Sequence, residues 1–460
     1  MRRIADLAFS ALIVLIAAPL YLLLDLAVVG RLGARELAAL GVGTLVLAVL
    51  STQLTFLTYG TTARSARRFG AGDRDGAVAE GVQATWIAVA AGMAIVAVGY
   101  GTAPWIMRAL VPDPAVAADG AGWLRIAIFG VPLILVSMAG NGWMRGVQTT
   151  RPPVVMVVAG LSVATVLCVG LVHGGGPFPR LGLDGSAWAN VVGQSITGLL
   201  FAGALWRERT DSDVDWRPHR AIIGAQLVMA RDLIARSASF QMCFLSAAAV
   251  AARYSVAAVA AHQVALQVWE FLSLLLDSLA IAAQSLVGAA LGGGSAAGAR
   301  AVARRVTVVS VGTATVVAVL LAAGAGVLPR LFNSDPQVLG AIAVPWWFLI
   351  ALLPIAGIVF ALDGVLLGAG DAAFLRTATL AAALVAFLPL IWTSHFFGWG
   401  LAGIWSGLLA FMLVRLAAVG WRYRSGEWAR VSTGRAGDHP AKGRGPAWHD
   451  GRYGNALGDQ

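Results

Sequence analysis

Twelve apolar runs, each long enough to cross a bilayer, follow one another along most of this chain and leave it few folds to choose from. A helix needs about 20 apolar residues to span the hydrocarbon. Runs broken by charges, Gly and Pro have approximate limits of 7–30, 36–62, 80–108, 121–145, 152–173, 186–206, 221–251, 257–291, 305–328, 341–368, 374–396 and 400–422. They are continuous rather than alternating, which excludes barrel strands. In lipid the backbone must then satisfy its own hydrogen bonds as α-helices. Composition agrees, with 58% of residues hydrophobic and 12% charged, against roughly 25% charged in a soluble domain. The expected fold class is therefore an all-α integral membrane protein with twelve transmembrane helices. Several runs exceed 25 residues, which predicts long, tilted or bent helices.

Arginine sets the expected orientation. With the N-terminus cytoplasmic, the inner segments hold Arg2, Arg3, Arg64, Arg67, Arg68, Arg74, Arg145, Arg151, the group from Arg207 to Arg236, Arg300, Arg304, Arg305 and Arg376. The outer ones hold Arg31, Arg35, Arg108, Arg125, Arg180, Arg253 and Arg330. This positive-inside bias predicts a multi-pass plasma-membrane protein with both termini cytoplasmic. The net charge of +10 follows from those loops and does not point to nucleic acid. Cys168 and Cys243 lie in apolar runs and form no CxxC, metal spacing or disulfide framework. No metal or cofactor is expected.

The two halves repeat. At a constant offset of 222, Arg31 falls on Arg253, Arg108 on Arg330, Asp113 on Asp335, Pro114 on Pro336, Pro132 on Pro354, Gly142 on Gly364 and Gly146 on Gly368. GLDG at 182 matches GLAG at 400 with a small shift. Each half has six runs, so the repeat is parallel. The expected domains are an N-terminal lobe (1–206), a cytoplasmic inter-lobe loop (207–220), a C-terminal lobe (221–424) and a disordered cytoplasmic tail (425–460). Transporters are often built this way, with the substrate site where the repeats meet.

Ionisable residues inside spans are candidates for function. Asp25 is the only charged residue from Leu7 to Val29. In low dielectric a carboxylate can titrate near neutral pH, and can then hold a proton or a cationic compound in alternation. Asp277, in the apolar stretch LLLDSLAIA, is a candidate for substrate or proton binding, or a hydrogen-bonded hub between lobes. Glu270 lies two turns before it and can share its face. Asp363 is read as an arginine partner or a gating residue, and Asn141 holds its place in the first half. His262 is read as structural. Pro19 can bend the first helix near Asp25. Trp86, Trp188, Trp269 and Trp405 are candidates to line a cavity for flat cations. No P-loop or enzyme motif occurs.

These residues carry a resemblance. PLYLLLDLAVVGRLG, GTTARSARRFGAGD, GNGWMRGVQTTRPP, AAHQVALQVWEFLSLLLDSLAIAAQSLVGAALGGG and ALDGVLLGAGD are similar to the first, second, fourth, eighth and tenth helices of the multidrug and toxic compound extrusion (MATE) transporters, in their DinF-type branch. The resemblance implies a monomeric secondary antiporter, with small molecules and the bilayer as its partners. Amphipathic or cationic compounds leave while H⁺, or alternatively Na⁺, enters. Two departures stand out. The family's fifth helix usually carries Asn and Asp where this chain has Ala164 and Cys168, which leaves Asp25 more isolated. Gln284 stands where many relatives have an acid, and an amide can bind substrate but not carry a proton. Loss of the fifth-helix acid favours H⁺, because Na⁺ wants several oxygen ligands. The alternatives are a lipid or polysaccharide precursor flippase with a more cationic groove, and, further off, a multispan membrane enzyme or receptor.

Overall fold

A computed structural model describes residues 1–175, 177–210 and 214–430. Among these, twelve helices are long and apolar enough to cross a membrane: α1 (Arg2–Val29), α2 (Ala34–Gly70), α3 (Arg74–Leu110), α4 (Pro114–Gly146), α5 (Arg151–His173), α6 (Leu183–Glu208), α7 (Arg220–Ala251), α8 (Val256–Gly292), α9 (Ala296–Ala323), α10 (Pro336–Gly368), α11 (Ala372–Phe397) and α12 (Gly400–Ser425). Helices α1–α6 form one lobe and α7–α12 the other. The repeat shows in the caps. Asp113 accepts the Ala115 amide at 2.7 Å ahead of Pro114, and Asp335 accepts the Gln337 amide at 2.8 Å ahead of Pro336. Each aspartate satisfies a free amide of the first turn, where proline needs none.

Several helices run past the limits read from hydropathy. α3 has 37 residues, about 55 Å at 1.5 Å per residue, so its polar first turns project beyond the hydrocarbon, whereas α8, equally long, keeps the limits read from hydropathy to within one residue at each end. Others are interrupted at identifiable residues. α2 breaks at Leu54 and Thr55, where the Thr52 hydroxyl donates to the Ala48 carbonyl at 2.9 Å and the Thr55 hydroxyl to the Thr52 carbonyl at 2.7 Å. Such hydroxyls compete with the helix ladder. A 3₁₀ turn at Ile128–Gly130 precedes Pro132, and a π turn at Ala383–Phe387 precedes Pro389, where proline withholds an amide. α1 is continuous through Pro19, whose missing N–H leaves the Leu15 carbonyl without its intrahelical donor.

The lobes meet toward the end that carries the N-terminus. There the second half of α2 lies on the second half of α8. A Cβ at Gly70 would overlap the Ala289 carbonyl, and one at Gly292 would overlap the Arg67 carbonyl, so glycine is required for this backbone-to-backbone approach. Among the described residues, side-chain hydrogen bonds between the lobes run from the level of Asp277 to this same end. Gln226 of α7, for example, donates to Glu80 of α3 at 2.9 Å, and Glu80 is held by Arg64 at 2.6 Å.

The described end of the inter-lobe segment, from Trp216 to His219, is pinned to α3. Gln83 of α3 donates to the Arg217 carbonyl at 3.0 Å and accepts the His219 amide at 2.8 Å, and Trp86 donates to the Trp216 carbonyl at 2.7 Å. The folded part also continues past 425. Gly426 turns in the left-handed region, and Trp428 folds back, buried, to stack on Tyr423 with ring centroids 5.5 Å apart. Residues 431–460 of the expected tail, like 211–213 of the loop, lie outside the described residues.

Candidate transport site

Asp25 stands one turn from the end of α1 and is 1% exposed. Burial comes from its own lobe. The Cys168 thiol of α5 donates to its Oδ1 at 3.3 Å. Ser186 of α6 sits beside the carboxylate and accepts the Trp123 indole N–H at 3.3 Å. Tyr21, one turn earlier on α1, is buried with its hydroxyl unpartnered. Asp25 is thus enclosed by a thiol and two hydroxyls, with no cationic partner among the described residues. The expectation of a more isolated Asp25 is corrected here. Cys168 takes part in the site, while Ala164 packs against Gly193. Tyr21 and Ser186 were missed. Tyr21 was detectable four residues before Asp25, on the same helical face.

A second polar group occupies the seam between the lobes. The Tyr59 hydroxyl of α2 donates to Asp277 Oδ2 of α8 at 2.5 Å. Gln284, two turns further along α8, donates to the Tyr59 carbonyl at 2.6 Å, and Ser285 donates to the Arg145 carbonyl of α4 at 2.7 Å. Arg145 is 6% exposed and lies within electrostatic reach of Tyr59 and Asp277. Asp277 and Gln284 therefore share a site. Glu270 does not join it, being exposed on α8 without an ion pair or hydrogen bond among the described residues.

Asp363 of α10 is buried between two arginines. Its Oδ2 accepts Arg236 of α7 at 2.6 Å and Arg415 of α12. Both guanidinium groups lie over the Phe240 ring, at 5.7 and 5.0 Å from its centroid. Asn141, the counterpart in the first half, is 8% exposed with its Oδ1 unpartnered. At the repeat offsets, Arg236 corresponds to Val14 (236 − 222) and Arg415 to Thr197 (415 − 218). No arginine faces Asn141 from those positions, which gives a physical reason for an amide there.

The tryptophans do not line one cavity. Trp86 holds the inter-lobe segment, Trp269 is buried in the C-terminal lobe, and Trp188 is 45% exposed. Trp405 packs edge-on against His262 at 6.0 Å beside a cavity of about 10 Å³ inside the C-terminal lobe. Both ring nitrogens of His262 and the Trp405 N–H are unpartnered there.

A duplicated bundle of twelve membrane-crossing helices, with a carboxylate buried away from any arginine in the first lobe and an acid–arginine group at the seam among the described residues, defines a multi-pass transporter of two-lobe architecture. The MatE family profile matches residues 11–169 and 233–393. The two matched segments begin 222 residues apart (233 − 11), the offset of the internal repeat. The chain belongs to the MatE family, whose members are transporters and not enzymes. It is 30% identical to Protein DETOXIFICATION 44, chloroplastic, of Arabidopsis thaliana, over 93% of this chain and 83% of that one. It is 28% identical to DNA damage-inducible protein F of Escherichia coli K12, over 90% of each. It is 30% identical to the Probable multidrug resistance protein NorM of Bradyrhizobium diazoefficiens, over 83% of this chain and 84% of that one. Among solved structures, a MATE in the bent conformation aligns with a TM-score of 0.83 at 22% identity, over 92% of this chain and 95% of that one. A MOP superfamily transporter from Pyrococcus furiosus, described by the reverse polarity of its binding pocket, aligns with a TM-score of 0.82 at 21% identity, over 93% and 96%.

Proposed function

We propose that this protein is a proton-coupled antiporter that exports amphipathic or cationic small molecules across the plasma membrane, with both termini cytoplasmic, acting as a monomer. The observation that carries this reading is Asp25, a carboxylate buried without a cationic partner among the described residues. A proton neutralises such a group where no side chain does. Its neighbours bring two hydroxyl oxygens and a thiol, a poor cage for Na⁺, which takes several oxygen ligands. The relatives named for multidrug resistance support drug-like compounds as the cargo.

In this mechanism the lobes alternate between contact at one end and at the other. The structure, closed at the end bearing the N-terminus, corresponds to the outward-facing state. Asp25 takes a proton from outside, and the loss of its charge weakens the hold on a cation, which leaves. The neutral carboxylate lets the N-terminal lobe rearrange, and the seam at Tyr59–Asp277 parts. Facing inward, Asp25 releases the proton and cargo binds again. Asp277 and Gln284 are the proposed cargo contacts at the seam, and Pro19 the hinge that lets α1 bend.

The test is ethidium efflux from vesicles with one ion gradient applied at a time. A proton gradient alone drives efflux, and a Na⁺ gradient alone does not. Efflux driven only by Na⁺, or full proton-driven efflux in Asp25→Asn, refutes the coupling. A second reading, the flippase of anionic lipid-linked precursors, is favoured by Arg145, a buried guanidinium at the seam without an ion pair among the described residues. It predicts translocation of a fluorescent anionic lipid and no movement of ethidium.

A further inference from the structure

At the end where the lobes touch, the start of α1 and the first turns of α9 belong to one buried cluster. Ile4, Leu7 and Ala8 come from one lobe and Ala299, Ala303 and Val306 from the other. Beside that junction lies an open groove of about 360 Å³, lined by Met1, Arg304, Arg305 and Val308. Arg304 and Arg305 are exposed and make no ion pair or hydrogen bond among the described residues. Arg2 and Arg3 follow Met1, and Arg300 stands one turn before Arg304; all three are exposed. Two acids lie near this group: Asp6, on the next turn of α1, and Glu427, beside Gly426, which approaches Arg300; Glu427 is paired with Arg422.

The groove also sits at a defined depth. Beyond Arg305 no charged residue occurs until Arg330, and beyond Asp6 none until Asp25. Both helices therefore enter the hydrocarbon here, with unpaired arginines at the boundary and apolar side chains just past it. Val308 is 66% exposed and Met1 71% exposed.

We propose that this groove binds an anionic phospholipid, with its phosphodiester on Arg304 and Arg305 and an acyl chain along Val308 and Met1. Guanidinium groups match phosphate oxygens in geometry and charge, and basic pockets between spanning helices are suited to anionic headgroups. A free phosphate uses the arginines but gains nothing from the apolar floor, so the lining as a whole fits a lipid. Bound there, the lipid touches both lobes at their shared end and favours the state in which that end is closed.

Native mass spectrometry of the full chain in detergent tests this, with phosphatidylglycerol and phosphatidylcholine titrated separately. The expected result is tighter retention of phosphatidylglycerol, by about tenfold. The preference disappears in Arg304→Gln/Arg305→Gln and persists in Arg304→Lys/Arg305→Lys. Val308→Asp weakens lipid retention with both arginines intact, which keeps the test open if the glutamine pair folds poorly. Millimolar inorganic phosphate leaves the bound lipid in place. Equal retention of the two lipids, an unchanged preference in the glutamine pair, or displacement by inorganic phosphate overturns the proposal.

Discussion

Two aspartates in this chain are buried for opposite reasons, and single substitutions separate them. Asp25 has only a thiol and hydroxyls around it, so no cationic side chain among the described residues matches its charge. Asp25→Asn keeps the shape and removes the proposed proton site. Proton-driven ethidium efflux falls to the passive leak, while ethidium affinity, read by fluorescence titration, weakens about tenfold, the worth of one charge-assisted contact. Asp363 instead neutralises Arg236 and Arg415. Asp363→Leu leaves the buried Arg415 and the half-buried Arg236 guanidinium groups facing each other and lowers stability by about 3–5 kcal/mol, as expected when one partner of a buried pair is removed. Asn141→Leu, at the equivalent place without arginines, costs less than about 2 kcal/mol; denaturant melts in detergent measure both. Asp25, Asp277 and Asp363 were legible because a charge inside an apolar run is conspicuous in sequence. Their partners were less so. Tyr59, Arg145, Arg236 and Arg415 come from other helices, and nothing local announces which arginine will turn toward which carboxylate. Cys168 was read as the loss of a polar partner, since a thiol in an apolar run looks like packing.

At the scale of elements, hydropathy located all twelve helices because lipid permits little else, but it measured the apolar part and not the helix. α3 overruns the hydrocarbon with its polar first turns, and the break in α2 arises from threonine hydroxyls that leave hydropathy unchanged. The contact between α2 and α8 was likewise hidden, since glycines near a helix end look like ordinary termination signals. Their role is testable. Gly292→Val places a branched side chain where the Arg67 carbonyl now lies. The lobes can then no longer close at this end. Transport stops while the thermal midpoint, which depends on packing within each lobe, changes by less than about 5 °C. A cysteine at position 66, introduced as Ala66→Cys and buried in the closed seam, becomes open to a water-soluble maleimide in the Gly292→Val background. Unchanged labelling and normal transport mean that the seam is not a moving contact.

For the whole molecule, duplication made the architecture readable before any contact was known. Matched Arg, Asp, Pro and Gly at one offset imply two like lobes, and two like lobes with a seam can exchange which end is closed. The asymmetry between the lobes then divides the work. The first keeps an unpaired carboxylate and no arginine opposite Asn141, whereas the second neutralises its acid internally. In the proposed mechanism, proton coupling accordingly falls to the N-terminal lobe and movement to the seam. A reversible staple across that seam tests whether the lobes must part. A Cβ at Gly288 would lie 2.9 Å from the Ala66 Cβ, about 0.6 Å short of the usual range of about 3.5–4.5 Å for a disulfide. Ala66→Cys/Gly288→Cys should therefore cross-link on mild oxidation with a small adjustment of α8, while the native Cys168 and Cys243 stay buried. Oxidised protein retains ethidium binding but carries out no turnover, and a reductant restores efflux. The single-cysteine controls transport normally under both conditions. Full efflux with the cross-link formed, verified by the intact mass, contradicts alternating access and leaves a fixed pathway within one lobe as the route.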